Sequence, residues 1–123
     1  MGYVGPDVEP PFEKIPMAKI IWTPEFEHQL NYYIGNASIE FGRSTAKKWA
    51  KEVAAIEQRL RVYPTSYTPE SLLLGRAELY RRCHVMHRRF KIIYYYHEAE
   101  DIVHIVDLWD TRMNPKALIR RIK

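Results

Sequence analysis

The chain has a single cysteine, Cys83, in 123 residues. No internal disulfide can staple such a chain, and a cysteine among strand-forming residues reads as a small buried core side chain in a reducing compartment. No apolar run approaches the roughly 18 residues that span a bilayer, and the first residues carry no apolar signal-peptide core. A cytoplasmic protein with no membrane segment is therefore expected. Acidic residues are also in deficit: 15 Asp and Glu face 19 Lys and Arg, for a net charge of +4 and a pI near 9.2. The deficit is concentrated, since residues 76–91 hold six Lys or Arg and one Glu. An acidic partner, nucleic acid or protein, fits that asymmetry. Beyond His104 there is neither tyrosine nor histidine.

What is present suits one compact unit. A hydrophobic content of 46% over this length supports one core and no second domain. Residues 1–17 read as a flexible N-terminal tail, because the first 16 hold four of the eight prolines and two of the five glycines without periodicity. Met17 could equally be the true start. The folded domain is expected over 18–123, opening with a short strand, Ala18 to Trp22.

Thr23 is a good helix cap, with Pro24 at the first helical position, and Phe26, Leu30, Tyr33, Ile34, Ala37 and Phe41 recur at helical spacing. Gly35 and Asn36 weaken the middle of this helix, and Gly42 is placed to stop it. Ser44 or Thr45 then caps a second helix with the stripe Ala46, Trp49, Ala50, Val53, Ile56 and Leu60. Packing on a sheet explains both stripes. Residues 63–75, with two prolines among Ser and Thr, form a loop.

Three strands follow, Glu78 to Val85, Arg89 to Tyr96 and Ile102 to Trp109, rich in aromatic and β-branched residues. The last is apolar apart from His104 and Asp107, as a central strand covered on both faces would be. Asn114 caps and Pro115 opens a short final helix, Lys116 to Lys123, whose Leu118 and Ile122 need a surface to bury against. The expected fold is α+β, in the order β-α-α-β-β-β plus a short C-terminal helix, with the helical hairpin on one face of the sheet.

A short turn at Met86 and His87 makes the first two of these strands an antiparallel hairpin. Sorting side chains by face sets Arg82 opposite Lys91 and Cys83 opposite Phe90, so that one face is basic and the other mainly apolar. A slip of one residue would mix charge with core. Like charges across the strands destabilise the sheet by up to about 1 kcal/mol, which an acidic partner would remove.

Leu74-Gly75, Tyr80-Arg81-Arg82, Arg89-Phe90-Lys91-Ile92-Ile93-Tyr94, Ile105-Val106-Asp107-Leu108-Trp109 and the run from Arg112 to Pro115 stand in an order that resembles the RelE/ParE toxins of bacterial type II toxin–antitoxin systems. The resemblance spans about residues 18–118. It implies a four-stranded, mainly antiparallel sheet and neutralisation by a cognate antitoxin. It also implies one of two targets: RelE-like members cleave ribosome-bound mRNA, whereas ParE-like members poison DNA gyrase without hydrolysis. A plain basic module that binds nucleic acid or an acidic peptide is the alternative of another class.

Metal-free RNA cleavage needs a base, an acid and cations for the phosphate. Arg82 and Lys91 could grip phosphate and His84 or His87 could move the proton. The resemblance places Arg82, His84 and Arg88 near basic residues of RelE-like enzymes, and Arg112 near the arginine after the last strand. Those enzymes usually end in a catalytic Tyr or a His-Tyr pair, which the tail from Lys116 to Lys123 lacks, so either a hairpin histidine takes over that proton transfer or the protein is not a nuclease. Because His84 and His87 sit beside so many cations, RNA cleavage is preferred, with His84, His87, Arg82, Lys91 and Arg112 as catalytic candidates. Arg81, Arg88, Arg89, Lys116, Arg120 and Arg121 are candidates for binding nucleic acid or a partner. No cofactor is expected, nor a metal, since Cys83 and His84 should point to opposite faces of one strand. The sheet face away from the helical hairpin, with the apolar side of the last helix, is expected to receive an antitoxin segment that supplies Asp or Glu.

Overall fold

A computed structural model describes residues 17–122; of the tail expected over residues 1–17 all but Met17 lies outside the described residues, as does Lys123. The elements are β1 (Lys19–Trp22), α1 (Pro24–Phe41), α2 (Arg43–Val62), a 3-10 turn (Ser71–Leu73), β2 (Arg81–Val85), β3 (Phe90–His97), β4 (Ile102–Asp110) and α3 (Pro115–Arg121). The four strands form one sheet in the order β1-β4-β3-β2, with β1 parallel to β4 and the other pairs antiparallel. The α+β arrangement expected from the sequence is the one observed. No helix among the described residues is long and apolar enough to cross a membrane.

Thr23 does two jobs at the first junction. Its Oγ1 accepts from the Phe26 amide at 3.2 Å and donates to the carbonyl oxygens of Ile105 and Val106, each at 3.1 Å, so the cap of α1 is also fastened to β4. α1 runs unbroken through Gly35 and Asn36. Gly42, with φ at 88°, reverses the chain in one residue, and α2 begins immediately after it with no side-chain cap. The expected caps Ser44 and Thr45 therefore lie inside the first turn of α2. The expected second strand, by contrast, starts late, at Arg81, because the loop takes the preceding residues: the Glu70 amide donates to the Tyr80 carbonyl at 2.8 Å and Pro69 pairs with Arg81.

The hairpin register differs from the expected one by two residues. Val85 pairs with Phe90, His84 with Lys91, Cys83 with Ile92 and Arg82 with Ile93, so neither Arg82–Lys91 nor Cys83–Phe90 is a cross-strand pair. The faces still sort as expected, since a slip of two returns every side chain to its own side. What changes is the loop, which holds the four residues Met86 to Arg89.

Two cores flank the sheet. Under the helical hairpin, Phe26, Leu30, Trp49, Val53 and Leu60 pack on Ile92, Tyr94, Val103, Ile105 and Leu108. On the other face Leu73, Ile93, Trp109, Leu118 and Ile122 make a smaller cluster. α3 and the 3-10 turn thus cover the second face themselves. The apolar side of α3, expected to await a partner, is already buried, with Leu118 fully enclosed. A bulge at Val106, which opposes no residue of β3, sends Asp107 and Trp109 to this second face while Ile105 and Leu108 stay on the first.

Candidate functional site

The second face is where the sequence places its basic surface, and most of those cations are engaged there within the protein. Lys91 is only 9% exposed and its Nζ lies 2.5 Å from Glu70 Oε1, with Trp109 paired beside it on β4. Burial raises the Glu70 carboxyl, but hydrogen bonds from Lys91 and the Leu72 amide outweigh it and hold the group below its ordinary value. Arg82 Nη1 donates to the Pro69 carbonyl at 2.8 Å and Arg81, which alternates to the first face with Cys83, donates through Nη1 to that of Tyr67 at 2.7 Å, so the loop before β2 is gripped from both faces by the strand's own arginines. Arg121 Nε donates to Asp107 Oδ2 at 3.1 Å, its Nη2 bonds Oδ1, and its guanidinium stands 5.0 Å from the Trp109 ring. Burial keeps the Asp107 carboxyl above its ordinary value in spite of that partner.

Arg112 makes a two-pronged contact with Asp110, through Nε at 3.1 Å and Nη2 at 2.9 Å, while most of its side chain remains exposed. That hydrogen-bonded pairing holds the Asp110 carboxyl below its usual range. Lys116 and Arg120 are exposed on α3.

The two histidines do not share a site. His84, half-buried, lies on the second face opposite Lys91. Burial, and then the charges of Arg88, Arg82 and Lys91, hold its imidazole below the ordinary value, which favours the neutral ring. His87 is exposed at the hairpin tip, where its Nε2 lies 3.0 Å from Lys48 Nζ of α2, on the helical side of the sheet. Cys83 is buried in the first core and desolvation pushes its thiol up to about 12, so it is no nucleophile near neutral pH. Among the described residues no three His, Cys, Asp or Glu side chains converge as a metal site.

Basic and apolar groups do come together at the tip. Arg88 and Arg89 are exposed there, and a cleft of about 600 Å³ lies between the tip, the C-terminal half of α1 and the start of α2. Its walls carry Arg89, Arg112 and His87 beside Tyr32, Phe41 and Trp49. Tyr32 and Phe41 are 57% and 68% exposed, and Ile39 nearby on α1 is 84% exposed. Arginine and aromatic side chains presented together are the composition of a protein-binding surface. Sequence reading assigns Phe41 to the core stripe and gives no role to Glu70, Asp107 or Asp110. Phe41 is the last residue of α1 and lines the cleft rather than the core, and the carboxylates have partners 14 or 21 residues away or two residues along. Only the polar character of Asp107 in an apolar strand signals any of this.

A family model described as the ParE toxin of type II toxin–antitoxin systems, parDE, matches residues 20–115. A solved structure described as the chromosomal ParDE toxin–antitoxin system from P. aeruginosa is similar with a TM-score of 0.60 at 15% identity, covering 76% of this chain and 96% of that one. The isolated E. coli RelE toxin aligns with a TM-score of 0.47 at 8% identity, covering 86% of this chain and 99% of the other. No curated protein sequence matches the chain.

Proposed function

The chain belongs to the ParE toxin family of type II toxin–antitoxin systems, and from that premise we propose that it arrests growth in the cytoplasm by docking on a protein target, DNA gyrase being the one its ParE-like character implies, rather than by cutting RNA. One observation carries this reading: Lys91 is buried against Glu70 and half-buried Arg82 is tied to the Pro69 carbonyl, while the hairpin's exposed arginines, Arg88 and Arg89, stand at the tip beside the cleft that carries Tyr32 and Phe41. A phosphate-cleaving centre needs its cations turned to the substrate. A docking surface needs arginine and aromatic anchors that can be desolvated on contact. The cognate antitoxin would neutralise the toxin by bringing Asp or Glu to the same tip, and its binding should weaken as salt rises.

RNA cleavage on the ribosome is the second reading, and His84 favours it: with its neutral form favoured and Arg82 and Arg88 beside it, it could accept the 2′-hydroxyl proton. Growth arrest separates the two. Under docking, Arg88→Glu and Arg89→Glu each reduce toxicity in graded steps, and the His84→Ala, His87→Ala double variant arrests growth near the wild-type level. Under cleavage the double variant loses about 10² to 10⁴ in rate and its toxicity with it. Purified protein should block supercoiling by gyrase and leave ribosome-bound message intact; the reverse pair of results would move the assignment to RNA.

A further inference from the structure

We infer that the β2–β3 tip is held in a strained shape by Glu52 and Thr111, which act as positioning residues for target docking; the inference rests on the docking reading above. Met86, His87 and Arg88 all have left-handed backbones, with φ at 53°, 57° and 67°. That conformation drives Cβ against the following carbonyl oxygen in any residue with a side chain, and three in succession are rarer than one. A two-residue Asn-Gly turn would close a hairpin without the conflict, yet the chain uses four residues and no glycine.

Such a shape persists only where surrounding contacts over-determine it. Here they come from two separate elements. Glu52 Oε1, on α2, accepts the Met86 amide at 2.8 Å, and Lys48, one turn earlier, reaches His87. Thr111, just beyond β4, donates from Oγ1 to the carbonyl oxygens of Arg88 and Arg89 at 3.0 and 2.9 Å, and its own amide donates to Arg89 at 2.9 Å. The entry to the turn is therefore fixed from α2 and the exit from β4. Arg88 and Arg89 leave from a backbone that is already ordered, so docking loses little chain freedom at the contact. Neither Glu52 nor Thr111 carries the charge that meets the target. Their role is to keep Arg88 and Arg89 fixed at the tip, with Arg89 in the wall of the cleft that also carries Tyr32 and Phe41.

The test pairs a disruptive with a conservative change at each position: Thr111→Val against Thr111→Ser, and Glu52→Ala against Glu52→Gln. Each full-length variant is titrated in growth arrest, checked for folding by circular dichroism and followed by amide exchange at Arg89, whose N–H donates to the Met86 carbonyl at 3.1 Å. Thr111→Val and Glu52→Ala should stay folded, speed that exchange and need about tenfold more toxin for the same arrest, as a docking surface that must be ordered on contact would. Serine and glutamine, which keep the donor and the acceptor, should restore both readouts. A faster exchange with undiminished arrest overturns the inference, as does lost arrest with unchanged exchange. Should Glu52→Ala fail to fold, the Thr111 pair decides alone. If Arg88→Glu and Arg89→Glu are themselves fully toxic, the docking reading has failed; if they lose toxicity while Thr111→Val does not, only the positioning role has.

Discussion

Ile92 and Ile93 are adjacent in β3 and equally buried, yet they belong to two differently built halves of the molecule. Among the described residues Ile92 sits in a core of sixteen buried residues beneath two long helices, whose interior is apolar and whose polar ties, such as Trp22 to Glu57 and the Met86 amide to Glu52, lie at its edge. Ile93 sits among five, and that smaller core is framed by the ion pairs Lys91–Glu70 and Asp107–Arg121. The larger half has enough apolar area to hold itself. The smaller half, covered by a seven-residue helix and a three-residue turn, does not. There the protein sets its cover in place with charges, and in doing so removes several basic side chains from the surface.

That contrast predicts where damage is greatest. Glu70→Ala strands the Lys91 charge in a buried site and should cost about 3 to 5 kcal/mol of unfolding free energy, measured by urea titration. Changing both partners, as Glu70→Leu with Lys91→Met, should recover most of that loss, because a buried pair replaced by apolar groups is near neutral. A double variant as unstable as the single one would show that the loop is held by other means. Next in size are the two isoleucines, each a deletion expected to cost about 2 to 5 kcal/mol. Ile92→Ala should fall near the top of that range, since two long helices cannot close over the void. Ile93→Ala should fall near the bottom, since α3 is short enough to settle. Equal losses would erase the distinction between the halves.

The smallest effects should be those of pH. Glu70 and Asp110 are held below their ordinary values, so their contribution is complete above the usual carboxylate range and is lost as pH falls through the folded values, below about pH 4. Asp107, held above its ordinary value, acts in the opposite sense: its contribution is present at low pH and lost as pH rises through its folded value. His84 is also held below its ordinary value, and its contribution is present above the ordinary imidazole value and lost as pH falls through the folded one. Stability should therefore decline from pH 7 to 5 with a slope no steeper than about 1.4 kcal/mol per pH unit from this one proton, and His84→Gln should flatten it. A slope unchanged by that substitution would place the titrating group elsewhere.

The elements were legible because their signals are local. Thr23 and Asn114 announce the starts of α1 and α3, Gly42 the break between α1 and α2, and the aromatic and β-branched runs the three later strands. The basic tip was legible too, as a run of cations within a few residues. The register was not, for a reason built into the strand: side chains alternate with a period of two, so the observed pairing of Cys83 with Ile92 and the expected pairing with Phe90 satisfy the same face-sorting rule. Only the loop could separate them, and its shape depends on Glu52 and Thr111, which lie far from it in sequence.

By itself the sequence determined the strand-and-helix order, the sorting of β2 and β3 into two faces, the family resemblance and the presence of a concentrated basic segment. Only the tertiary structure decided which of those cations face outward. Arg82, Lys91 and Arg121 read as surface charge because nothing near them in the chain opposes it. They are taken up by the Pro69 carbonyl, Glu70 and Asp107, 13, 21 and 14 residues distant, which come within reach only after the sheet has formed and its second face has been covered.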